Sequence, residues 1–318
     1  MDIRQLRYFI GIVEAGSVSR AARLLHVAQP ALSQHVLAIE ADLGVTLLHR
    51  TARGVIPTEA GLRLLDHARA ICAQVASLPD QVRGGAAIPS GEVRFGMPGT
   101  ISEQLGVKLI EAAAHRYPKV RIRIVEAMSG YVLNWLRDGS VDLAMLYNVE
   151  DEKGLTLHHA LTEDIQFFGI PTMKKLPRGE SIGLGAALNL KLIVPGPAHG
   201  LRNLIDRAAK SIHKTLDPAI EIDSYRQIKQ LAARGAGFGM LPTMAIEQEL
   251  RSGTFRSWRV ERPALMRRIH LGYQAGKPLS TASRAVGQLA WTSLEALVRN
   301  GGWRATWNDA EVLQLYNG

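Results

Sequence analysis

The stretch GSVSRAARLLHVAQPALSQHVLAIEADLG, residues 16–44, decides how the first half of the chain is read. Val18, Ala21, Ala22 and Leu25 fall at the spacing that lines one face of a helix. Leu32, Val36, Ile39 and Leu43 repeat that period behind Pro30, a residue suited to a first helical turn, until Gly44 stops it. Between the two runs, residues 26–28 leave room only for a tight turn. Another helix precedes the pair: Leu6, Phe9, Ile10 and Val13 share a face, and Gly16 ends it. Ser17 or Ser19 can cap the helix that follows. Two short helices joined in this way form the helix-turn-helix pattern. The second of the pair leaves Gln29, Ser33, Gln34 and Ala38 off its apolar stripe. A face that had only to be soluble would favour Glu and Lys, whereas amides and hydroxyls can donate to and accept from base edges. A three-helix bundle with an ordinary polar face is the other reading that the pattern allows.

The sequence after residue 44 extends this unit. Val45–Arg50 reads as a short strand, Thr51–Gly54 as a turn with Gly54 free to take positive φ, and Val55–Ile56 as the return strand. The result is a wing carrying Arg50 and Arg53, suited to phosphates. Thr58 then caps a long helix reaching about Arg83, with Leu62, Leu65, Ala68, Cys72, Val75 and Leu78 as a narrow apolar seam. A headpiece this small offers no obvious partner of matching length, so pairing with the same helix of a second chain is expected. Cys72 reads as a small apolar member of that seam. Gly84–Gly91, rich in Gly and Ala with Pro89, reads as a joint to a second domain.

The whole chain of 318 residues is long enough for about two domains at roughly 150 residues each. Apolar residues make up 47% and charged ones 21%, a globular and not a disordered composition. A single cysteine excludes an intramolecular disulfide and a multi-cysteine metal site, which fits a reducing compartment. No apolar run nears the ~20 residues that span a bilayer, and the opening MDIRQLRYF lacks a signal-peptide core. A cytoplasmic protein without a membrane partner is expected. The net charge of +9 is uneven: residues 1–88 hold 9 Arg against 7 acids, residues 89–250 hold 19 basic against 18 acidic, and residues 251–318 hold 10 against 4. The first lysine is Lys108, so every cation of the headpiece is an arginine, the better bidentate donor to phosphate and guanine.

From Glu92 onward strands and helices alternate. Val93–Phe95, Arg121–Val125, Val141–Leu146 and Leu192–Val194 read as strands, and 103–116, 131–138, 200–214, 225–234, 243–251 and 281–299 as helices. Alternation of this kind gives parallel α/β sheets with ligand sites where strands end and helices begin. Such junctions hold Thr100, Ser102 and Ser129, which could bind a small anion at helix N-termini, with His199 or Arg202 supplying charge. Each hydroxyl could equally serve only as a cap. No enzyme is expected. The chain has no HExxH, no G-x-S-x-G and no dinucleotide fingerprint, and Gly272–Lys277 is one residue short of a phosphate loop, with Pro278 where Ser or Thr is needed. No catalytic residue, metal site or cofactor is assigned.

Leu6–Phe9, Gly16–Ala22, Ala28–Gln34, Leu43–Leu48 and the run from Arg50 through Pro57–Gly61 together resemble the LysR-type transcriptional regulators. Within that family, His26–Gln34 and Arg53–Thr58 look most like the branch of the nitrogen assimilation control regulator. The specific motifs cover about 60 residues; beyond them the likeness rests on Asp142–Ala144, His199–Arg202 and Gly235–Pro242. The resemblance implies an N-terminal winged helix-turn-helix over 1–58 and a long linker and dimerisation helix with hinge over 59–90. A two-lobed, periplasmic-binding-protein-like (type 2) effector domain over 91–300 would follow. Lobe one would comprise 91–161 and 270–300, lobe two 162–269, leaving 301–318, with Trp303 and Trp307, as an extension outside the pattern. Gln29, Pro30, Ser33 and Gln34 would face bases, and Ser19, Arg50 and Arg53 would lie nearer phosphate. Thr100, Ser102, Ser129, His199 and Arg202 would touch a small effector, a carboxylate being the expected class. In some members of this branch the cleft needs no effector. The implied partners are a double-stranded operator, a second copy in a homodimer, a further pairing into a homotetramer, and RNA polymerase.

Overall fold

Asp2 and Gln5 each accept the other's backbone N–H at 2.8 Å, a capping box that starts α1 (Ile3–Ala15). The structure, a computed structural model, describes residues 1–51, 54–83, 88–149, 152–173, 176–313 and 315. Gly16 ends α1 in the left-handed region, and Ser17, the first of the two candidate caps, opens α2 (Val18–Leu25). α3 (Gln29–Leu43) follows with Pro30 in its first turn and Gly44 at its end. Phe9, Ile12, Ala21, Leu32, Val36 and Ile39 interlock as the headpiece core. Each large apolar side chain buried this way is worth about 1.5–3 kcal/mol.

β1 (Leu48–Thr51) and β2 (Gly54–Pro57) form the antiparallel wing. The first strand is shorter than expected. Val45–Leu47 stays outside it because the Glu40 carboxylate accepts the Leu47 and Leu48 N–H groups at 2.7 and 3.3 Å, tying the approach to α3. Gly54 has φ 134°, and a Cβ there would lie 2.1 Å from the Gly16 carbonyl oxygen, the same oxygen that accepts the Val55 N–H at 2.9 Å. The wing therefore closes on the end of α1, and only glycine fits.

Thr58 accepts the Gly61 N–H and donates to the Thr46 carbonyl, opening α4 (Glu59–Arg83), roughly 37 Å long at ~1.5 Å per residue. The seam expected along α4 divides in two. Leu65, 6% exposed, belongs to the headpiece core, Ala68 is fully buried, and Arg69 reaches Glu14 of α1 at 2.8 Å. Leu65 is therefore an intradomain residue: α1 is the partner that periodicity alone did not reveal. Leu62, Ile71 and Leu78 stay exposed, with Cys72 and Val75 half-buried between them.

Beyond α4 the chain runs through β3 (Gly91–Pro98), α5 (Gly99–Arg116), β4 (Val120–Ala127), α6 (Ser129–Asp138), β5 (Leu143–Tyr147) and the long β6 (Leu155–Gly169). There follow β7 (Ser181–Gly183), α7 (Leu184–Ala187), β8 (Leu192–Val194), α8 (Gly200–Ser211), β9 (Ile220–Glu221) and α9 (Tyr225–Ala233). β10 (Phe238–Pro242), a 3-10 turn (Thr243–Ile246), α10 (Glu247–Arg251), β11 (Arg256–Glu261), β12 (Met266–Gln274), α11 (Thr281–Arg299) and β13 (Thr306–Trp307) complete it. The sheet is mixed, not wholly parallel. β3 pairs in parallel with β4 and β5, and β8 with β9 and β10, but β6 and β12 run antiparallel to their neighbours.

Two apolar cores define two lobes. One gathers Phe95, Leu105, Leu143, Ile269, Val286 and Trp303 around β3, α5 and α11; the other gathers Phe167, Ile193, Ile205, Ile228, Met240 and Trp258. β6 serves both. It pairs with β12 through Asp164, then with β10 and β11 from Ile165 onward, so the chain changes lobes within one strand. The C-terminal segment is not a loose extension: Trp303, Trp307, Leu313 and Leu315 are buried in the first core. Among the described residues no helix is long and apolar enough to cross a membrane.

Candidate nucleic-acid interface and interlobe cleft

The exposed face of α3 carries Gln29, Pro30 and Gln34, with Ser33 half-buried beside them. Leu32, Val36 and Ile39 on the opposite face anchor it. Ser19 on α2 donates from Oγ to the Gln29 side-chain oxygen at 3.2 Å, so the two helices meet at residues that both project outward. That bond occupies the amide oxygen and leaves the Gln29 NH₂ free to donate. Arg23 and His26 are exposed alongside. Of Arg50 only the backbone is described, and Arg53 lies outside the described residues.

Between the lobes lies a cavity of about 590 Å³. Lobe one contributes Ser102, Glu103, Glu126 and Ser129; lobe two contributes Asp223, Arg226 and Lys229. The lobes approach closely: a Cβ on Gly200 would lie 2.5 Å from Ser129 Oγ. α5 and α6 both begin at this cavity without side-chain caps, their N-caps being Pro98 and Met128. His199, buried, and Tyr225, half-buried, form its inner wall.

Behind that wall the space is filled by protein. Thr100, 1% exposed, bonds the Tyr147 hydroxyl at 2.5 Å and accepts from Arg267 Nη2 at 3.3 Å. The Arg267 guanidinium stacks 3.8 Å from the Tyr147 ring and bonds Glu163 through Nε and Nη2 at 2.8 and 2.5 Å. Tyr225, from the other lobe, bonds His199 through its hydroxyl at 3.0 Å and faces this cluster, its ring 3.8 Å from where a Cβ on Gly99 would lie. Burial raises the Tyr147 and Tyr225 phenols above their ordinary range, so both stay protonated.

Three of the five residues expected to touch an effector have other work. α5 starts at Gly99, four residues earlier than its periodicity suggested, which turns Thr100 inward to the Arg267 cluster instead of into the cavity. Arg202 donates Nε to both Asp206 oxygens at 3.0 and 3.1 Å, and Nη1 to the Pro195 carbonyl at 3.2 Å and to Glu221. Two carboxylates thus neutralise it, and it offers no free charge. His199 Nδ1 accepts the Leu201 N–H at 3.1 Å, so the neutral ring carries its proton on Nε2 and donates to the Tyr225 oxygen at 3.0 Å. Burial, reinforced by Arg267, lowers its pKa to about 4, so it cannot supply positive charge at neutral pH. Ser102 and Ser129 line the cavity, and so does His199 as a neutral ring. Tyr225, Asp223, Arg226, Arg267 and Glu163 were missed. An Arg–Arg pair between Met266 and Ile269 was the signal available for Arg267.

The low His199 pKa carries a pH dependence of stability. The unfolded chain binds a proton near 6.5 and the folded chain only near 4, so the folded form holds fewer protons between these values and loses stability as pH falls through them. His270, lowered to about 4 by burial, acts in the same direction. The loss is about 3 kcal/mol per histidine at roughly 1.4 kcal/mol per unit. Urea midpoints should fall from pH 6.5 to 4.5, and His199→Gln should make that slope shallower; an unchanged slope would contradict a buried neutral imidazole.

Residues 3–62 match the bacterial regulatory helix-turn-helix proteins of the lysR family, and residues 86–294 match the LysR substrate binding domain. The nitrogen assimilation regulatory protein nac of Escherichia coli (strain K12) is 32% identical over 302 residues, covering 94% of this chain and 97% of that one. A full-length OxyR variant from Pseudomonas aeruginosa superposes with a TM-score of 0.74 at 22% identity, covering 93% and 95%. Full-length CbnR complexed with its target DNA superposes with a TM-score of 0.63 at 22% identity, covering 92% and 100%. These relatives are regulators and not enzymes. The chain belongs to the LysR family: it is a DNA-binding transcriptional regulator with a helix-turn-helix headpiece and an effector-binding domain.

Proposed function

We propose that α3 enters the major groove of an operator, with Gln29, Pro30, Ser33 and Gln34 at base edges and Ser19, Arg50 and Arg53 at phosphates, in the cytoplasm. The observation that carries this is the face of α3, where amide and hydroxyl side chains stand out from a helix whose other side is locked into the core. The Ser19 bond gives Gln29 a defined direction, with its NH₂ as donor to a base acceptor. Two copies pair through the exposed Leu62, Ile71 and Leu78 of α4, with Cys72 and Val75 between them, and effector domains pair again into a tetramer. RNA polymerase is the further partner that a regulator of transcription engages.

A small effector binds in the 590 Å³ cavity and acts through unequal affinity for two lobe arrangements. With Arg202 committed and Lys229 paired with Glu249 at 2.8 Å, Arg226 is the cation left for a carboxylate, and Glu126 and Asp223 beside it favour a ligand that also bears positive charge. Regulation without an effector is the second reading, favoured by the Arg267–Tyr147–Thr100 cluster filling the space behind the cavity.

Operator and scrambled duplexes titrated at several salt concentrations test the headpiece assignment. Ser33→Ala should lose discrimination while keeping scrambled-duplex affinity. Arg50→Ala should weaken both duplexes alike and flatten the salt slope by about 0.9, one phosphate contact. Equal loss of discrimination from both variants would contradict the division of roles.

A further inference from the structure

The segment after α11 is built onto the strand by which the chain changes lobes. β13 pairs antiparallel with β6 at Thr306 to Thr162 and Trp307 to Leu161, just before β6 exchanges partners at Asp164 and Ile165. Asn308 extends the contact, its N–H reaching the Ala160 carbonyl at 2.9 Å and its side-chain amide the His159 carbonyl at 3.0 Å. Glu311 meets His158 Nδ1 at 2.7 Å. Trp303, 1% exposed, donates its indole N–H to Glu163 Oε2 at 2.9 Å, while Glu163 Oε1 takes both bonds from Arg267.

We propose that residues 303–311 are a strap that sets the angle between the lobes, with Trp303 as the positioning residue that fixes the Glu163 carboxylate under Arg267. The contacts of the strap run along residues 158–163 of β6, the turn-over point of the strand, and leave its lobe-two half to β10 and β11. A carboxylate with each oxygen held by a different element cannot swing, and Glu163 is held by β12 on one side and the strap on the other. Through Arg267 the constraint reaches Thr100 at the start of α5, next to Gly99, where a Cβ would lie 3.8 Å from the Tyr225 ring of lobe two. An aromatic ring alone would fill the Trp303 site; the indole supplies in addition the donor that a buried carboxylate oxygen needs. Nothing in this proposal depends on which residues read DNA or on whether an effector binds.

The test is hydrogen–deuterium exchange of the full-length protein, wild type against Trp303→Phe and against the double variant Asn308→Ala, Glu311→Ala. Amides of 160–168 and 266–270 should exchange about tenfold faster in both variants, because local opening at the hinge becomes easier, while α1–α3, β3 and β4 keep their wild-type rates. Wild-type exchange at the hinge in both variants overturns the proposal. So does acceleration spread evenly over β3, β4 and α5, which would make the segment core packing only. Should Trp303→Phe fail to fold, the double variant, whose two positions are half-buried, decides by the same criterion.

Discussion

The Arg267–Glu163 pair, each residue 1% exposed, is the constraint around which the effector-binding domain is arranged. Burial opposes the charge on Arg267, yet the Glu163 carboxylate and the Tyr147 and Tyr225 hydroxyls beside it raise the guanidinium pKa further above its already high value. Such a pair costs less the more of its remaining hydrogen-bonding capacity is met. Here Trp303 from the C-terminal segment, Thr100 from the first turn of α5 and the Tyr147 ring from β5 supply part of it, while Arg267 Nη1 stays without a hydrogen-bond partner among the described residues. One electrostatic demand thus ties together the hinge strands, the floor of the cleft and the end of the chain.

Its consequence for regulation is geometric. Tyr225 and His199, bonded to each other in lobe two, face this cluster, and a Cβ on Gly99 of lobe one would lie 3.8 Å from the Tyr225 ring, so protein groups meet on the inner side and the outer cavity remains for a ligand. An effector in that cavity would sit beside Ser102 and Ser129 and would have to compete with, or reinforce, contacts that already hold the lobes together. Change in the angle between lobes would pass to the headpieces through α4, on which Leu62, Ile71 and Leu78 stay exposed.

How much of this was legible in the sequence depended on how local the cause was. Gly16, Ser17, Pro30 and Gly44 act on the backbone within a turn of their own positions, and the three headpiece helices followed from them and from the apolar period. Gly54 was readable as a positive-φ residue, though its contact with the Gly16 carbonyl was not. Leu65 was misassigned because a narrow stripe on a long helix looks alike whether it meets α1 or a second chain. Thr100, His199 and Arg202 stand where strand gives way to helix, which suggested a ligand; burial and ion pairing decide their roles, and both come from residues far along the chain such as Glu221, Tyr225 and Arg267. The strands β6 and β12 carry His158, His159, Glu163, Arg267 and Arg268 among their apolar residues, which hid their period. The strap partners Trp303 and Glu163 are separated by 140 residues, beyond any local pattern.

A double-mutant cycle on the full-length protein, Glu163→Gln, Arg267→Met and the two combined, followed by urea unfolding, measures the pair directly. Each single change should cost about 3–5 kcal/mol by leaving a buried charge uncompensated, and the combined variant should recover most of that loss. Additive losses in the combined variant would contradict a coupled ion pair at the centre of the domain.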